Sequence, residues 1–231
     1  RGKPDFSFYY AGKAMYGWLD RGLDRLSFEL LERDEGAVPG RCLYRIINGD
    51  GSPAGLFEQR WSLRGTGLAG VFTFDLERDL PELPRIGLVC RLAPGLRRVR
   101  WFGRGPHECH PDRKAGAAVG LYEADAAGLY VPYIVPQTNG TRTDVRWLEL
   151  RFAAPGDAID NSGRKRKPEP SGPVPAAGLR IEADGLIEFT VSPYTDAELF
   201  EIRHADELPP VEESLARGAV LGRISSSGEY V

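Results

Sequence analysis

Two imidazoles, a carboxylate and a thiol stand side by side in His107-Glu108-Cys109-His110, side chains that can ligate a metal ion or pass a proton. The spacing favours neither use. It is not the HExxH pattern that sets two imidazoles on one helical face, and Gly103, Gly105, Pro106 and Pro111 oppose a helix here. The segment therefore reads as a turn whose polar side chains satisfy backbone groups of a loop. Glu108 with His107 or His110 could form an acid/base pair, yet nothing in the sequence supplies a second partner for the proton. His204, late in an expected helix, reads as a partner of that helix's C-terminal dipole.

Hydrolysis of a glycosidic bond needs two carboxylates at a fixed separation. None of the 33 acidic residues stands in a context that pairs it with another. The nucleophile elbow GxSxG and the phosphate loop GxxxxGK[ST] are both absent. Enzyme chemistry is not visible in this chain by itself.

The elements that would carry these residues are strands. Leu26, Phe28 and Leu30 recur with period two, as do Cys42, Tyr44 and Ile46 before the turn cluster Asn48-Gly-Asp-Gly51. Phe57, Trp61 and Leu63 form the return strand, then Phe72, Phe74 and Leu76, then Ile86, Leu88, Cys90 and Leu92, then Val99 and Trp101. A long irregular middle follows before Leu148, Leu150 and Phe152 resume the alternation. Leu179, Ile181 and Ala183 lead through Asp184-Gly185 into Ile187, Phe189 and Val191, a pattern that predicts a hairpin. One helix is expected: Thr195 and Glu198 have capping-box spacing, Leu199 and Ile202 supply an apolar face, and Pro209-Pro210 is a stop. Strands joined by turns without helical crossovers imply an all-β fold, a large antiparallel β-sandwich with one short helix near the C-terminus, spanning residues 1–231 as a single domain.

Residues 157–177 break the pattern, with Arg164-Lys-Arg-Lys167 and four prolines from Pro168 to Pro175. Such a composition buries too little apolar area to offset chain entropy, so a flexible solvated loop is expected rather than a polyanion-binding patch. Charge points the same way. With 30 basic and 33 acidic residues well mixed, net −3, the chain lacks the footprint of a nucleic-acid or membrane-surface binder, and no run of 18 uncharged apolar residues occurs. A neutral or polar ligand fits better. Cys42, Cys90 and Cys109 are odd in number and lack CxxC spacing, which argues for a reducing, cytoplasmic location. The start Arg1-Gly-Lys-Pro, without an initiator Met, reads as part of a longer chain.

Trp101-Phe-Gly-Arg-Gly-Pro-His-Glu108 with Pro111-Asp-Arg113, then Tyr130-Val-Pro-Tyr133 and Pro136-Gln137-x-Asn139-Gly140-x-Arg142-x-Asp144-x-Arg146-Trp147, resembles the C-terminal small-chain domain of family-two β-galactosidases. Gly17-Trp-Leu-Asp-Arg-Gly-Leu-Asp24, Arg85-Ile-Gly-Leu88 and Phe189-Thr-Val-Ser-Pro-Tyr-Thr195 with His204 extend the likeness from about Trp18 to about Pro209. The resemblance implies a galactose-mutarotase-like supersandwich, acting as an accessory to an upstream (β/α)8 barrel that carries both catalytic glutamates. It also implies carbohydrate metabolism and a β-galactoside or other carbohydrate as ligand. Whole enzymes of the family often use Mg and Na ions, with none expected in this segment, and a homo-oligomer is a further expectation.

Three departures limit what carries over. Thr138 and His110 replace the Glu and Tyr common in the family, the leading Arg-Ala-Pro-x-Asp-Asn-Asp motif is not found, and Leu221–Val231 lacks the tryptophan that the family adds to the galactoside pocket. Arg104, His107, Glu108, Asp112, Arg113, Asn139, Arg142 and Arg146 are the candidate carbohydrate-binding residues; with Asp144 the charged ones suit either sugar hydroxyls or a salt-bridge network that fixes the loops. Trp101, Tyr130, Tyr133 and Trp147 could stack on a sugar or pack within the domain. A free-standing carbohydrate-binding module and an aldose 1-epimerase are the alternatives, the second resting on fold likeness alone.

Overall fold

Period-two runs become strands in the computed structural model, which describes residues 11–34, 40–81, 83, 85–135, 139–152 and 178–226. The expected loop at 157–177 lies outside the described residues. The chain divides into two compact units, Arg1–Pro84 and Arg85–Val231. Each is built on an antiparallel sheet, so the chain is all-β as its alternation predicts.

The first unit opens with helix α1 (Ala11–Asp20) and a 3-10 turn, followed by the meander β1 (Ser27–Arg33), β2 (Arg41–Ile47), β3 (Pro53–Arg64) and β4 (Gly67–Leu76). Because side chains alternate across a strand, its two faces differ sharply. One carries aromatic rings, with Phe57 stacked on Phe74 at 4.7 Å and on Tyr44 at 5.8 Å. The other carries a charge ladder in which Arg41 bridges Glu32 at 2.6 Å and Glu58 at 2.5 Å, and Arg45 meets Glu29 at 2.6 Å. The Asn48–Gly51 cluster makes the β2–β3 turn, closed by Asn48 N–H donating to Ser52 O at 2.9 Å. Gly65-Thr66-Gly67-Leu68-Ala69-Gly70 has the glycine spacing of a dinucleotide fingerprint, yet it joins β3 to antiparallel β4 where that motif needs a strand-to-helix turn.

The second unit holds β5 (Leu88–Arg91), β6 (Leu96–Gly105), β7 (Ala118–Asp125), helix α2 (Ala126–Leu129), β8 (Arg142–Phe152), β9 (Gly178–Ser192), helices α3 (Asp196–Glu201) and α4 (Val211–Ala216), and β10 (Val220–Ser226). The strands lie in the order β5-β10-β9-β8-β6-β7. One face is the core: Val99 and Trp101 from β6, Leu148 and Leu150 from β8, Phe189 and Val191 from β9 and Leu221 from β10, with Leu129 of α2 and Leu215 of α4 packed on them. Trp101, 1% exposed, meets Phe189 edge-on at 5.9 Å. Asp125 fastens α2 to this layer by accepting from Ala127 N–H at 3.0 Å while holding Arg97 with both oxygens.

Four expectations are corrected. Asp184-Gly185 is not a hairpin turn, because β9 runs unbroken through it. The register against β8 jumps from Val145↔Ile187 to Trp147↔Glu182, so the extra β9 residues form a bulge, which Gly185 accommodates at φ 116°. The irregular middle contains β7 and α2. The helix at Thr195 is present with its capping box, but it ends at Glu201, and α1, α2 and α4 accompany it. His204 consequently lies beyond α3, at the head of a 3-10 turn where its N–H donates to Glu207 at 2.9 Å, and Pro210 caps α4 as well as ending what precedes it.

Candidate functional site

Strands β6 and β8 pair with Phe102 opposite Trp147, which brings the chain leaving β6 and the chain entering β8 to one end of the sheet. The 106–117 loop, the Tyr130–Val135 segment after α2 and the Asn139–Asp144 stretch therefore meet there.

Glu108 organises the first cluster. Its carboxylate accepts from Gly140 N–H at 2.9 Å and Arg113 Nη2 at 2.8 Å, and takes a short hydrogen bond from the Tyr133 hydroxyl. Burial pushes the Glu108 carboxyl up, but these three donors outweigh it and hold it below the usual carboxylate range. The same bond to Glu108 raises the Tyr133 phenol. His110 Nε2 lies 3.9 Å from Glu108, and burial lowers its pKa despite that carboxylate. Cys109, fully buried, ties the loop to β8 through its N–H donating to Thr141 O at 2.8 Å and through its thiol 3.1 Å from Thr143 Oγ1.

Asp144 organises the second. It sits at φ 51°, a left-handed conformation in which Asp is better tolerated than bulkier residues. Its carboxylate receives Arg104 Nε at 2.6 Å and Lys114 Nζ at 2.8 Å. Burial raises the Asp144 carboxyl, and the two cations more than reverse this. Arg104 also donates to the carbonyls of Lys114 and Ala117 at 3.1 and 2.9 Å, so one guanidinium spans the loop.

Arg142 lies between the clusters. Only 3% exposed, it donates to Gly140 O at 2.7 Å and Pro106 O at 2.8 Å, and its guanidinium stands 5.4 Å above the Trp101 ring. Burial pushes its pKa down to about 10, so it stays charged at neutral pH. Arg146 donates to Asp144 O at 2.5 Å and covers Phe102. Buried Asn139 accepts from Val131 N–H at 3.2 Å.

Six of the eight candidate residues thus come together: Arg104, Glu108, Arg113, Asn139, Arg142 and Arg146. His107 and Asp112 are placed on the exposed outer edge of the loop. Of the aromatic candidates, Trp101 is core, Tyr130 packs against Tyr194 at 5.1 Å, Tyr133 serves Glu108, and half-buried Trp147 lies near Arg180 and Arg100 at 4.4 and 5.8 Å. Sequence reasoning missed Lys114 as a partner of Asp144. Its place beside Asp112-Arg113 was the available signal, but the 30-residue separation hid the contact. Chemically the arrangement is a brace, in which charged groups point at one another and at loop carbonyls. Among the described residues no group of three or more His, Cys, Asp or Glu converges as metal ligands, and no described helix is long and apolar enough to cross a membrane.

A family model described as "Beta galactosidase small chain" matches residues 17–220. The β-galactosidase of Vibrio cholerae serotype O1 is 36% identical over 130 residues, which is 56% of this chain and 10% of that protein. That of Priestia megaterium is 30% identical over 138 residues, 60% of this chain and 11% of that protein. An Enterobacter cloacae β-galactosidase is 44% identical over 81 residues, 35% of this chain and 8% of that protein. This chain therefore spans about a tenth of the length of the relatives it matches. Matched over most of its length, and with the signature loops assembled into one braced cluster, the chain belongs to the β-galactosidase small chain family.

Proposed function

We propose that this chain is the accessory small-chain part of a β-galactosidase-type glycoside hydrolase. It packs against a (β/α)8 barrel that carries the catalytic carboxylates and helps to shape the galactoside site, without supplying a catalytic group. The observation that carries this reading is the family match over residues 17–220 by a chain whose aligned stretch covers only about 10% of its relative's length. The braced loops support it: Glu108 takes three donors and Asp144 two, which suits a rigid surface presented to a neighbour better than an acid/base pair. The ligand of the assembled enzyme is a β-galactoside, held in part by the loops around Arg104–Arg113 and Asn139–Arg146.

The chain alone, assayed with an aryl β-galactoside, is expected to give no turnover, and calorimetry should register binding to the separately produced barrel portion of its parent protein. Hydrolysis by the chain alone at an enzyme-like rate overturns the reading.

A further inference from the structure

The registers of the β1–β4 sheet set Leu30 beside Tyr44, Tyr44 beside Phe57, Phe57 beside Phe74 and Leu63 beside Leu68, all on one face. A sheet apolar on one face buries it against another layer. This one is open: exposure runs from 37% at Trp61 to 69% at Leu63, with Phe28, Leu30 and Leu68 between. Polar groups at its centre satisfy one another, since Trp61 Nε1 donates to Gln59 Oε1 at 3.4 Å and Gln59 Nε2 donates to the Tyr44 hydroxyl at 3.2 Å. Among the described strand residues, Arg33, opposite Cys42, is the one charged side chain that the registers place on this face. It is exposed at the end of edge strand β1.

We propose that this face is a homodimer interface, packed sheet on sheet against the same face of a second copy of the chain. Area separates a stable contact from an incidental one. Strands of 7, 7, 12 and 10 residues, spaced about 4.8 Å apart and rising about 3.4 Å per residue, cover roughly 600 Å². Two copies face to face then bury about 1,200 Å², which reaches the range of specific interfaces. Chemistry selects the partner. A two-fold pair sets one uncharged surface against another, so no charge loses its water, with Arg33 left solvated at the rim. A polysaccharide fits less well, because Phe57 stacks on Phe74 and Tyr44 at 4.7 and 5.8 Å, and rings that cover one another offer no flat platform to a sugar. The interface belongs to the first unit and does not rest on the accessory reading.

Sedimentation velocity of the chain over about 1–200 µM is the test, and a reversible monomer–dimer equilibrium in the micromolar range is expected. Leu30→Lys and Leu68→Lys, on the two edge strands, each press an ammonium group from both copies into the interface and should weaken the dimer about ten-fold or more. Val71→Lys, opposite Arg60 on the charged face, should leave it unchanged. All three sites are exposed in the single chain, so circular dichroism should match the wild type; should one leucine variant misfold, the other decides. A dimer that both leucine variants leave intact overturns the proposal. So does a monomer across the whole range, and if the leucine variants then also lose binding to the separately produced barrel portion, the face belongs to that partner instead. The accessory reading stands or falls separately, on turnover in the presence of the barrel.

Discussion

Asp144 concentrates the chemistry of the braced loops. It combines a left-handed backbone with two cationic partners, and replacing it separates these contributions. Asp144→Ala loses the carboxylate and keeps the unfavourable φ, so urea denaturation should show a loss of about 1–3 kcal/mol. Asp144→Gly loses the same ion pairs but relaxes the backbone and should cost less than alanine, the reverse of the usual strand preference. Glu108 and Asp144 also set the acid limb of stability. Both carboxyls are held below their usual range when folded. Their contribution is therefore complete above the unfolded carboxylate pKa of roughly 4 and is lost as pH falls through the lower folded values. A urea-midpoint series from neutral pH to about pH 3 should fall steeply in the wild type and less steeply in Glu108→Gln/Asp144→Asn.

Elements were legible wherever local pattern decides them. The alternation around Phe28, Tyr44, Phe57 and Phe74 located β1 to β4, and Thr195 with Glu198 located α3. β7 escaped because Ala118-Val-Gly-Leu121 is apolar or small at successive positions, with Val119 and Leu121 exposed while Tyr122 and Ala124 pack on the core. Gly185 misled because a positive φ serves a bulge as well as a turn, and only the pairing with β8 distinguishes them. The site residues were legible as types, but their contacts were not. Arg104 meets Asp144 across 40 positions, a separation set by the β6–β8 pairing and not by any local signal. Two element-scale outcomes follow from the caps. Thr195→Ala removes half of the α3 capping box and should cost about 1 kcal/mol. Asp125→Ala leaves Arg97 with Glu212 as its remaining carboxylate partner and uncaps α2; with Asp125 1% exposed, thermal and urea unfolding should register a larger loss of about 2–4 kcal/mol.

At the scale of the molecule, each of the two units carries an antiparallel sheet, and in the second Arg104, Glu108, Arg113, Lys114 and Asp144 are committed to holding the loops in place. Such a scaffold fits an accessory role, in which binding geometry is supplied to chemistry carried elsewhere. The decisive measurement is kcat/KM for an aryl β-galactoside with the barrel-bearing parent protein, made first with this region, then without it, then with the region added back as a separate chain. A large drop on removal, with at least partial recovery on re-addition and no turnover by the region alone, is predicted. Unchanged kcat/KM on removal, or enzyme-like hydrolysis by the region alone, would contradict the accessory role.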